Sequence, residues 1–475
     1  MFFNYHVKKL INLLSEDEIK KIHEATLTVM EENGILIQDE ESLKLLSDAG
    51  CEVNFKKMVA KFPSSLIEDA LKKCPSEFTM HARSSKYDLK FNSNSVYFAA
   101  CGGMEILDFD TGKRRQGTTQ DAKKAVILCD ALENIARTTP GVGRLVDVPG
   151  EVELETLTAI SLRNSEKITA VNSMGDSAEW GVKMAKAVGT DILVGGSSAS
   201  PLGWSKSQIE AIKLATRENL PVYLQSMASP GGVAPATLAG SIVIMNTEIL
   251  GLTVLTELLR PGTGVMYSCF NMPMDMRVGT LAGGSIEFGM LTAVSAQLAR
   301  FYGMASIIYQ PQTDSKLLDE QTGYEKGMQW ILAGMSGINL MCGAGVVDGQ
   351  TLWSNAQLVI DSEMAGMVGR LIEGIEVTED TLALDVISKV GHFPNNYLGQ
   401  KHTRDWWKRE QYQPLLPSRE IYGQWVKMGS KGILERARGK VRELLKEHKP
   451  VPLPREVDRE LDALLKAAGR AHGLD

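Results

Sequence analysis

The fold is decided by the stretch ASIIYQPQTDSKLLDEQTGYEK, which spans Ala305–Lys326. It starts with a short apolar run, Ala305–Tyr309, breaks into the polar loop Gln310–Lys316, and enters a helical pattern at about Asp319. A strand followed by a loop and a helix is typical of an α/β fold. The loop carries amide, carboxylate and amine groups, so we expect a functional site where this strand ends.

The same strand–loop–helix unit recurs on both sides of this stretch. Short apolar runs predict strands at Arg137–Val146, Lys167–Asn172, Asp191–Gly195, Pro221–Gln225, Thr263–Ser268 and Ile338–Met341. Helical patterns alternate with them at Thr119–Leu132, Val152–Arg163, Ser177–Val188, Ser205–Glu218, Ala236–Leu259, Ile286–Tyr302, Gln321–Met335 and Ala356–Ile372. This alternation indicates parallel strands covered by helices. With Tyr97–Leu107 as a candidate eighth strand, about seven repeats predict an α/β fold of the (β/α)8 TIM-barrel type.

Three regions of different character make up the chain. Residues 1–118 predict a helical N-terminal cap with extended segments, residues 119–391 the barrel, and residues 392–475 an irregular and helical C-terminal extension. We expect the extension to wrap the barrel or to form a subunit interface of a homo-oligomer. An open dinucleotide-binding sheet is disfavoured, because no G-x-G-x-x-G follows any predicted strand.

Composition and charge indicate a cytoplasmic protein that binds neither nucleic acid nor a membrane. The 475-residue chain has a net charge of −7 and no block of basic residues, which disfavours nucleic acid as a partner. Its six cysteines are dispersed, as is usual for reduced thiols. The apolar segment Ala239–Leu259 carries Asn246, Glu248 and Glu257, so we expect a buried helix rather than a membrane span. The N-terminus predicts no signal peptide.

The candidate site lies in the loops that follow the strands, because TIM-barrel active sites are built there. That rule selects the polar side chains of Asn172, Ser173, Ser197, Ser198, Gln225, Ser226, Tyr267, Ser268, Asn271, Gln310, Gln312, Asp314, Lys316, Asp348 and Gln350. Ordinary hydrogen bonding at the barrel mouth would explain many of them equally well. No histidine lies between His81 and His392, which argues against a histidine base and against metal–histidine hydrolysis in the barrel. We therefore predict no intrinsic metal.

Two cationic residues in these loops allow more than one role. Lys316 could form a Schiff base, or it could make a salt bridge to Asp314 or Asp319. Arg277 could clamp a substrate carboxylate, although a structural pair with Asp275 is the simpler expectation.

Five local patterns then resemble a known family. They are DFDTGKRR at 108–115, PMDMRVGTLAGGSIE at 273–287, TDSKLLDEQTGYE at 313–325, the segment Gly343–Glu363 that runs through VVDGQTLWSNAQLVIDSE, and HTRDWWKREQYQPLLPSR at 402–419. Together they resemble the trimethylamine:corrinoid methyltransferase family, and specifically its members without pyrrolysine, which are similar to glycine betaine and related quaternary amine methyltransferases. The resemblance covers roughly Ser15 to Arg419.

The resemblance implies a (β/α)8 barrel that presents a methylamine-type substrate to the corrinoid, a cobalamin, of a cognate corrinoid protein. The trimethylamine enzymes contain pyrrolysine, which this sequence lacks. A neutral tertiary amine must be activated before it can lose a methyl group, whereas a quaternary ammonium already carries the positive charge. The implied reaction is a direct SN2 transfer of a methyl group from glycine betaine to Co(I), with release of dimethylglycine. The protein would orient the N-methyl group and exclude water.

The candidate residues divide into two sets for such a substrate. The cation could lie over the rings of Tyr97, Tyr267 or Tyr309, supplemented by the carboxylate of Asp314 or Asp348. A betaine carboxylate could meet Arg277, Lys316, or the amides of Gln225, Gln310 and Gln312. The substrate stays open among glycine betaine, proline betaine, carnitine and γ-butyrobetaine. Two other functions also stay open: an imine-forming lyase that uses Lys316, and a non-catalytic betaine-binding subunit.

Overall fold

A computed structural model describes residues 5–170 and 176–474. The helices of the N-terminal region are α1 (Glu16–Glu32), α2 (Glu40–Asp48) and α3 (Ser64–Leu71). Those of the central region are α4 (Thr119–Ala131), α5 (Glu153–Arg163), α6 (Ser177–Val188), α7 (Lys206–Arg217), α8 (Leu238–Leu259), α9 (Ile286–Phe301), α10 (Glu320–Met335) and α11 (Asn355–Glu373). The C-terminal helices are α12 (Glu379–Leu382), α13 (Leu384–Val390), α14 (Lys401–Glu410), α15 (Tyr422–Lys427), α16 (Ile433–Glu447) and α17 (Arg455–Ala471).

The strands are mostly short, and only some of them join the main sheet. The first ten are β1 (Tyr5–His6), β2 (Ile35–Ile37), β3 (Glu52–Asn54), β4 (Val59–Lys61), β5 (Phe78–Met80), β6 (Leu89–Phe91), β7 (Ser95–Ala100), β8 (Glu105–Leu107), β9 (Arg114–Arg115) and β10 (Thr169–Ala170). The others are β11 (Ile192–Ser197), β12 (Gly203–Trp204), β13 (Val222–Ser226), β14 (Val265–Cys269), β15 (Met274–Asp275), β16 (Thr280–Leu281), β17 (Ala305–Ile308), β18 (Leu340–Ala344), β19 (Val346–Val347) and β20 (Leu352–Trp353).

The central stretch folds as its sequence predicts. The apolar run forms β17, and α10 begins after Asp319, whose carboxylate accepts a hydrogen bond from the Thr322 amide at 3.1 Å. An acidic N-cap satisfies an amide that the first helical turn leaves unpaired. The polar loop is therefore fixed between a strand at one end and a capped helix at the other.

The main sheet has eight strands in the order β1-β7-β18-β17-β14-β13-β11-β10. The ladders from β7 to β10 are parallel, and only β1 runs antiparallel, beside β7. Arg137 lies between the two ends of this parallel series and forms parallel bridges to Ala99 and to Ile168. The molecule is therefore an α/β fold built on a curled, largely parallel sheet.

One expectation about the strands needs correction. The predicted strand Arg137–Val146 pairs with the sheet only at Arg137, because the chain then turns into a loop that bridges Gly103 and Gly117 instead. The candidate eighth strand at Tyr97–Leu107 corresponds in part to β7, which belongs to the main sheet. The predicted strand ending at Asn172 is described only to Ala170, and Asn172 and Ser173 lie outside the described residues.

Alternate residues of the strands face opposite sides of the sheet. The inner side packs as one apolar cluster that includes Leu193, Met266, Ile307 and Leu340, together with the hairpin β5–β6. The outer side packs against the helices through a larger cluster. This period-two pattern decides which side chains at the strand ends face the interior.

The long apolar helix α8 is a core element of this fold. In the described part of the chain it is the one helix long and apolar enough to cross a membrane, yet 72% of its most apolar window is buried within the protein. Its polar residues have protein partners: Asn246 donates to Thr26 and Tyr302, and Glu248 accepts from three serine hydroxyls. These contacts explain how such a helix is accommodated inside an α/β protein.

The terminal regions cover the outside of the central helices. Helices α1 and α3 pack against α8, α16 packs against α4 and α11, and α17 packs against α5 and α6. The C-terminal extension therefore wraps the central region through its last two helices.

Candidate active site

An inner cavity of about 240 Å³ lies where the strands β7, β10 and β17 end, beside the bridged residue Arg137. We call it the inner cavity. Its described lining consists of Cys101, Gly102, Gly103, Met104, Arg137, Thr139, Pro140, Val142, Gly143, Leu154, Leu157, Thr158, Ser161, Ala170, Tyr223, Tyr309 and Gln350. This volume is below the range of roughly 300–1,000 Å³ that is usual for drug-sized ligands, so the inner cavity suits a small molecule.

Two tyrosines form an aromatic wall of the inner cavity. The ring centroids of Tyr223 and Tyr309 are 5.9 Å apart, and Phe270 meets Tyr309 edge-on at 6.5 Å. Gly195 leaves room for the Tyr223 ring, because a Cβ at residue 195 would lie 2.3 Å from that ring. Burial raises the pKa of the Tyr309 hydroxyl well above its ordinary value, so this side chain stays neutral at physiological pH.

Arg137 is the only charged residue in the described lining of the inner cavity. The residue is 2% exposed, and its guanidinium donates from Nη2 to the carbonyl oxygen of Ala100 at 2.7 Å and lies 5.9 Å from the centroid of the Tyr309 ring. The Cys101 thiol beside it has a pKa raised by burial to about 12, so it is not a thiolate. The inner cavity thus combines aromatic faces with one buried cation.

The loop after β19 separates the inner cavity from a larger, open space. Gln350 lines the inner cavity, whereas its neighbours Gly349 and Thr351 line the other side. Gln312 donates from Nε2 to Gln350 Oε1 at 3.1 Å. Asp348 and Gln350 have φ values of 53° and 74°, a backbone conformation that side-chain-bearing residues rarely adopt. Such strain is commonly kept at functional loops.

The larger space, which we call the outer cleft, has a volume of about 890 Å³. It is lined by Met272, Asp275, Val278, Thr280, Leu281, Ala282, Asp314, Ser315, Lys316, Leu317, Asp319, Gln321, Asp348, Gly349 and Thr351. Lys316 is exposed here, pairs with Asp348 at 3.3 Å, and donates to the carbonyl oxygen of Asp314 at 2.6 Å. The polar loop of the central stretch therefore faces the outer cleft more than the inner cavity.

Asp314 ties the loop after β17 to the loop that precedes α9. Its two carboxylate oxygens accept hydrogen bonds from the amides of Gly283 and Gly284, each at 2.9 Å. Burial raises the pKa of the Asp314 carboxyl, while the same two amides act in the opposite direction. The contacts identify Asp314 as a residue that positions the rim of the outer cleft.

Replacement of Asp314 by asparagine removes one of these two acceptors and turns an amide donor toward a backbone N–H. We expect the free energy of unfolding to fall by about 1.5–3 kcal/mol, because a hydrogen bond to a charged group contributes about that much. The urea midpoint would measure this change. The control is Glu320→Gln, which neutralises an exposed carboxylate at the start of α10. Equal urea midpoints for the two variants would contradict this positioning role.

Two predicted tyrosines lie outside the inner cavity. The Tyr97 hydroxyl donates to the carbonyl oxygen of Lys90 at 3.1 Å, and its ring packs on Phe91 at the opposite end of the sheet interior. Tyr267 is fully buried on the outer side of β14, where its hydroxyl donates to Asn246 Oδ1 at 3.0 Å. Tyr97 lies too deep in the sheet interior to reach the inner cavity, and Tyr267 points away from the cavity toward the helices. Of the three predicted rings, only Tyr309 lines the inner cavity.

The other residues predicted to bind substrate lie mainly in or beside the outer cleft rather than in the inner cavity. Asp314, Lys316 and Asp348 line the outer cleft, and Gln312 supports the loop between the two spaces. Arg277 is exposed and pairs with Asp275 at 2.7 Å, as the simpler expectation had it. Gln225 and Gln310 are buried but are not part of the described lining, and the Gln310 amide has no hydrogen-bond partner in the described structure.

Two residues of the inner cavity, Arg137 and Tyr223, are not among the candidates that the sequence predicts. Arg137 was placed at the start of a long strand, although it is the last residue that pairs with the sheet. Tyr223 lies within β13 rather than after it. Its ring extends to the inner cavity across Gly195, where a side chain would block it. An arginine in an otherwise apolar, sheet-forming run is a signal that could have found the first of them.

A buried ion pair supports the loop beneath the cavity. Lys326 Nζ donates to Asp361 at 2.7 Å and to the carbonyl oxygens of Gly343 and Val346 at 3.0 and 2.8 Å. Asp361 also accepts from the Gly345 amide at 2.8 Å. Both charged side chains are completely buried. The pair therefore fixes the turn that follows β18, next to the strained loop at Asp348–Gln350.

No cluster of three or more metal-ligating side chains occurs among residues 5–170 and 176–474. All six cysteines are free.

Comparisons with known proteins point in one direction. A model of the trimethylamine methyltransferase (MTTB) family matches residues 4–471. The chain is 32% identical over 482 residues to "Trimethylamine methyltransferase MttB" of Methanosarcina barkeri, covering 97% of this chain and 96% of that protein. It is also 32% identical over 473 residues to "Glycine betaine methyltransferase" of Desulfitobacterium hafniense strain Y51, covering 97% and 98% of the two chains.

A solved structure also shares the fold. The crystal structure of the Methanosarcina barkeri monomethylamine methyltransferase (MtmB) superimposes with a TM-score of 0.50 at 13% sequence identity. The match covers 96% of this chain and 93% of that one. At this identity the likeness concerns the architecture alone.

Proposed function

The chain belongs to the trimethylamine methyltransferase family, and we propose that it transfers a methyl group from a quaternary amine, glycine betaine, to the corrinoid of a cognate carrier protein. The observation that carries this proposal is the chemistry of the inner cavity. Its described lining contains aromatic faces but no aspartate, glutamate, histidine or lysine. Its tyrosine Tyr309 and its thiol Cys101 both have pKa values raised by burial.

Such a lining suits a substrate that needs no proton. A tertiary amine must be activated before it can release a methyl group, and the described lining has no group that would protonate it near neutral pH. A quaternary ammonium already carries the charge that makes its nitrogen a leaving group. The absence of pyrrolysine from the sequence agrees with a substrate of this kind.

The residues of the inner cavity would bind and orient the substrate. The rings of Tyr223 and Tyr309 attract a quaternary ammonium through their negative faces. The apolar side chains of Val142, Leu154 and Leu157 keep water from the reacting methyl group. Holding the methyl group in one orientation is the main contribution that a protein can make to a direct displacement.

The outer cleft, which the loop at Asp348–Gln350 separates from the inner cavity, fits the docking of the carrier protein. It is larger than the inner cavity and presents the apolar side chains of Met272, Leu281 and Leu317 beside polar loops. When bound, the corrinoid supplies the nucleophile, cobalt in the Co(I) state. Asp314 and Asp348 would hold the loops of the cleft in place through the contacts described above.

The wider organisation of the molecule is proposed on the same basis. Arg137 bridges Ala99 and Ile168, and on this evidence we propose that the curled sheet closes into a (β/α)8 barrel. The proposed barrel then includes β7, with the N-terminal cap before it and the C-terminal extension after residue 391. We further propose a cytoplasmic homo-oligomer, the latter because exposed apolar side chains such as Phe393, Leu398 and Tyr422 occur in the extension.

The proposal is tested by incubating the full-length protein with a reduced corrinoid and a panel of amines. We expect dimethylglycine from glycine betaine, only when the corrinoid is reduced, and no product from trimethylamine. Proline betaine, carnitine and γ-butyrobetaine complete the panel. Failure to form a tertiary amine from any quaternary amine would overturn the proposal and favour a binding subunit.

An imine-forming lyase is less well supported, because Lys316 lies exposed in the outer cleft and is paired with Asp348. Borohydride treatment with carbonyl compounds should leave Lys316 unmodified.

A further inference from the structure

Arg137 carries a buried charge that no carboxylate of the described chain neutralises. Its Nη2 atom donates to the carbonyl oxygen of Ala100, and the titratable side chains that affect it most are Cys342, Tyr309, Cys101 and Tyr223, none of them a carboxylate. Its Nε atom is buried and has no hydrogen-bond partner among the described residues. Residues 171–175 follow the lining residue Ala170 in the sequence, and their letters, VNSMG, include no acidic residue.

This situation differs from that of the other buried cation near the site. Lys326 has Asp361 at 2.7 Å as its counter-ion. A buried charge without a counter-ion is unfavourable unless a partner arrives from outside. Because Arg137 lines the inner cavity and is 2% exposed, the partner it can meet is an anion bound in that cavity.

We propose that Arg137 binds the carboxylate of the substrate, so that the protein selects zwitterionic betaines over simple quaternary cations such as choline. This inference rests on the proposed function and adds the substrate class. The guanidinium is a planar donor that matches a carboxylate. Tyr309 lies 5.9 Å from the guanidinium and Tyr223 lies 5.9 Å from Tyr309, so one small cavity offers both an anion site and aromatic faces for the ammonium group.

The same residue would exclude the wrong substrates. A quaternary cation without a carboxylate would face the guanidinium across a small cavity, and like charges repel strongly where little water separates them. In a betaine, the carboxylate neutralises Arg137 and the ammonium group turns away from it. Selectivity thus arises from attraction of the zwitterion and repulsion of the bare cation.

The backbone role of Arg137 is separate from this side-chain role. Its bridges to Ala99 and Ile168 are formed by the main chain. A substitution of the side chain therefore leaves the sheet pairing available. Methionine at this position keeps a long, unbranched chain without the charge, and lysine keeps the charge without the planar donor group.

The test measures dissociation constants by calorimetry on the full chain without corrinoid, using glycine betaine, choline and tert-butylacetate. The last compound has the shape and carboxylate of glycine betaine but carbon in place of nitrogen. The wild-type protein should bind glycine betaine at least about 100-fold more tightly than choline, since sites built to pair a substrate group reject analogues that lack it. It should also bind tert-butylacetate more tightly than choline.

The variants should shift this selectivity in a graded way. Arg137→Met should weaken glycine betaine binding about 100-fold and bring its affinity close to that of choline, whereas Arg137→Lys should lie between. Arg217→Met removes an exposed arginine that pairs with Glu218 away from the inner cavity, and it should change nothing. Circular dichroism would establish that each variant is folded. If a variant does not fold, the affinities of the wild-type protein for glycine betaine and choline still test the selectivity.

Equal wild-type affinity for choline and glycine betaine would overturn the inference, as would an unchanged selectivity ratio in folded Arg137→Met. These results are distinguishable from failure of the proposed function. Selective betaine binding without dimethylglycine formation would remove the methyltransferase proposal and leave the role of Arg137 intact. Methyl transfer from glycine betaine and choline at equal rates would remove the role of Arg137 and leave the methyltransferase proposal intact.

Discussion

Replacing Tyr309 with alanine is expected to lower kcat/KM for methyl transfer from glycine betaine by about 100-fold. A desolvated cation–π contact contributes about 2 kcal/mol and an aromatic pair about 1 kcal/mol, and each 1.4 kcal/mol is a factor of about ten. Tyr309 makes both kinds of contact in this site, because its ring faces the inner cavity and packs on Tyr223. Steady-state release of dimethylglycine would measure the effect.

The matched control is Tyr309→Phe, which keeps the ring and removes the hydroxyl. Since burial raises the pKa of that hydroxyl well above its ordinary value, we expect no proton transfer from it and less than about a fivefold change in rate. A strong loss in Tyr309→Phe would assign the hydroxyl a chemical role. Full activity in Tyr309→Ala would place the substrate elsewhere.

Replacing Lys326 with methionine is expected to destabilise the protein by about 3–5 kcal/mol, because it leaves the buried carboxylate of Asp361 without its counter-ion. Both side chains are completely buried, and Lys326 also holds the carbonyl oxygens of Gly343 and Val346. The urea midpoint should fall markedly. Betaine binding should weaken as well, since the turn after β18 lies next to Gln350.

The control for this prediction is Lys316→Met, which removes a lysine from an exposed pair in the neighbouring loop. Its partner Asp348 is 3.3 Å away, but the Lys316 side chain is 69% exposed. Surface pairs of this kind contribute about 0–1 kcal/mol. If Lys326→Met and Lys316→Met have the same urea midpoint, the buried pair does not stabilise the fold.

The sequence was most informative where local signals agree. The stretch Ala305–Lys326 contains an apolar run, a polar loop and an acidic N-cap at Asp319, and each of these decides structure over a few residues. The same holds for the alternation of strands and helices through the central region. Hydrophobic periodicity and capping are local properties, so they can be read from one chain.

The arrangement of the site was less accessible because it depends on pairing between distant segments. The direction of Tyr267 follows from its register with Leu224 and Ser306, which sets its side chain toward the helices. The depth of Tyr97 follows from its pairing with Leu340 at the start of β18. A shift of one residue reverses the face of a side chain, and the boundaries of a strand are the least certain part of a prediction.

Arg137 shows this dependence most clearly. The run after it is apolar enough to predict a strand, so a search at the carboxyl end of that strand goes to Val146. In the structure only Arg137 pairs with the sheet, and the strand end is therefore nine residues earlier than Val146. Tyr223 was missed for a related reason, since its access to the inner cavity requires Gly195 on the neighbouring strand.

The most direct test of the proposed function is the yield of dimethylglycine per reduced corrinoid in a single turnover. The full-length protein is mixed with glycine betaine and a limiting amount of reduced corrinoid, and the products are counted by mass spectrometry. The proposal predicts one dimethylglycine for each corrinoid consumed, none with oxidised corrinoid, and no dimethylamine when trimethylamine replaces glycine betaine. Consumption of no glycine betaine, or formation of dimethylglycine independent of the corrinoid, would contradict it.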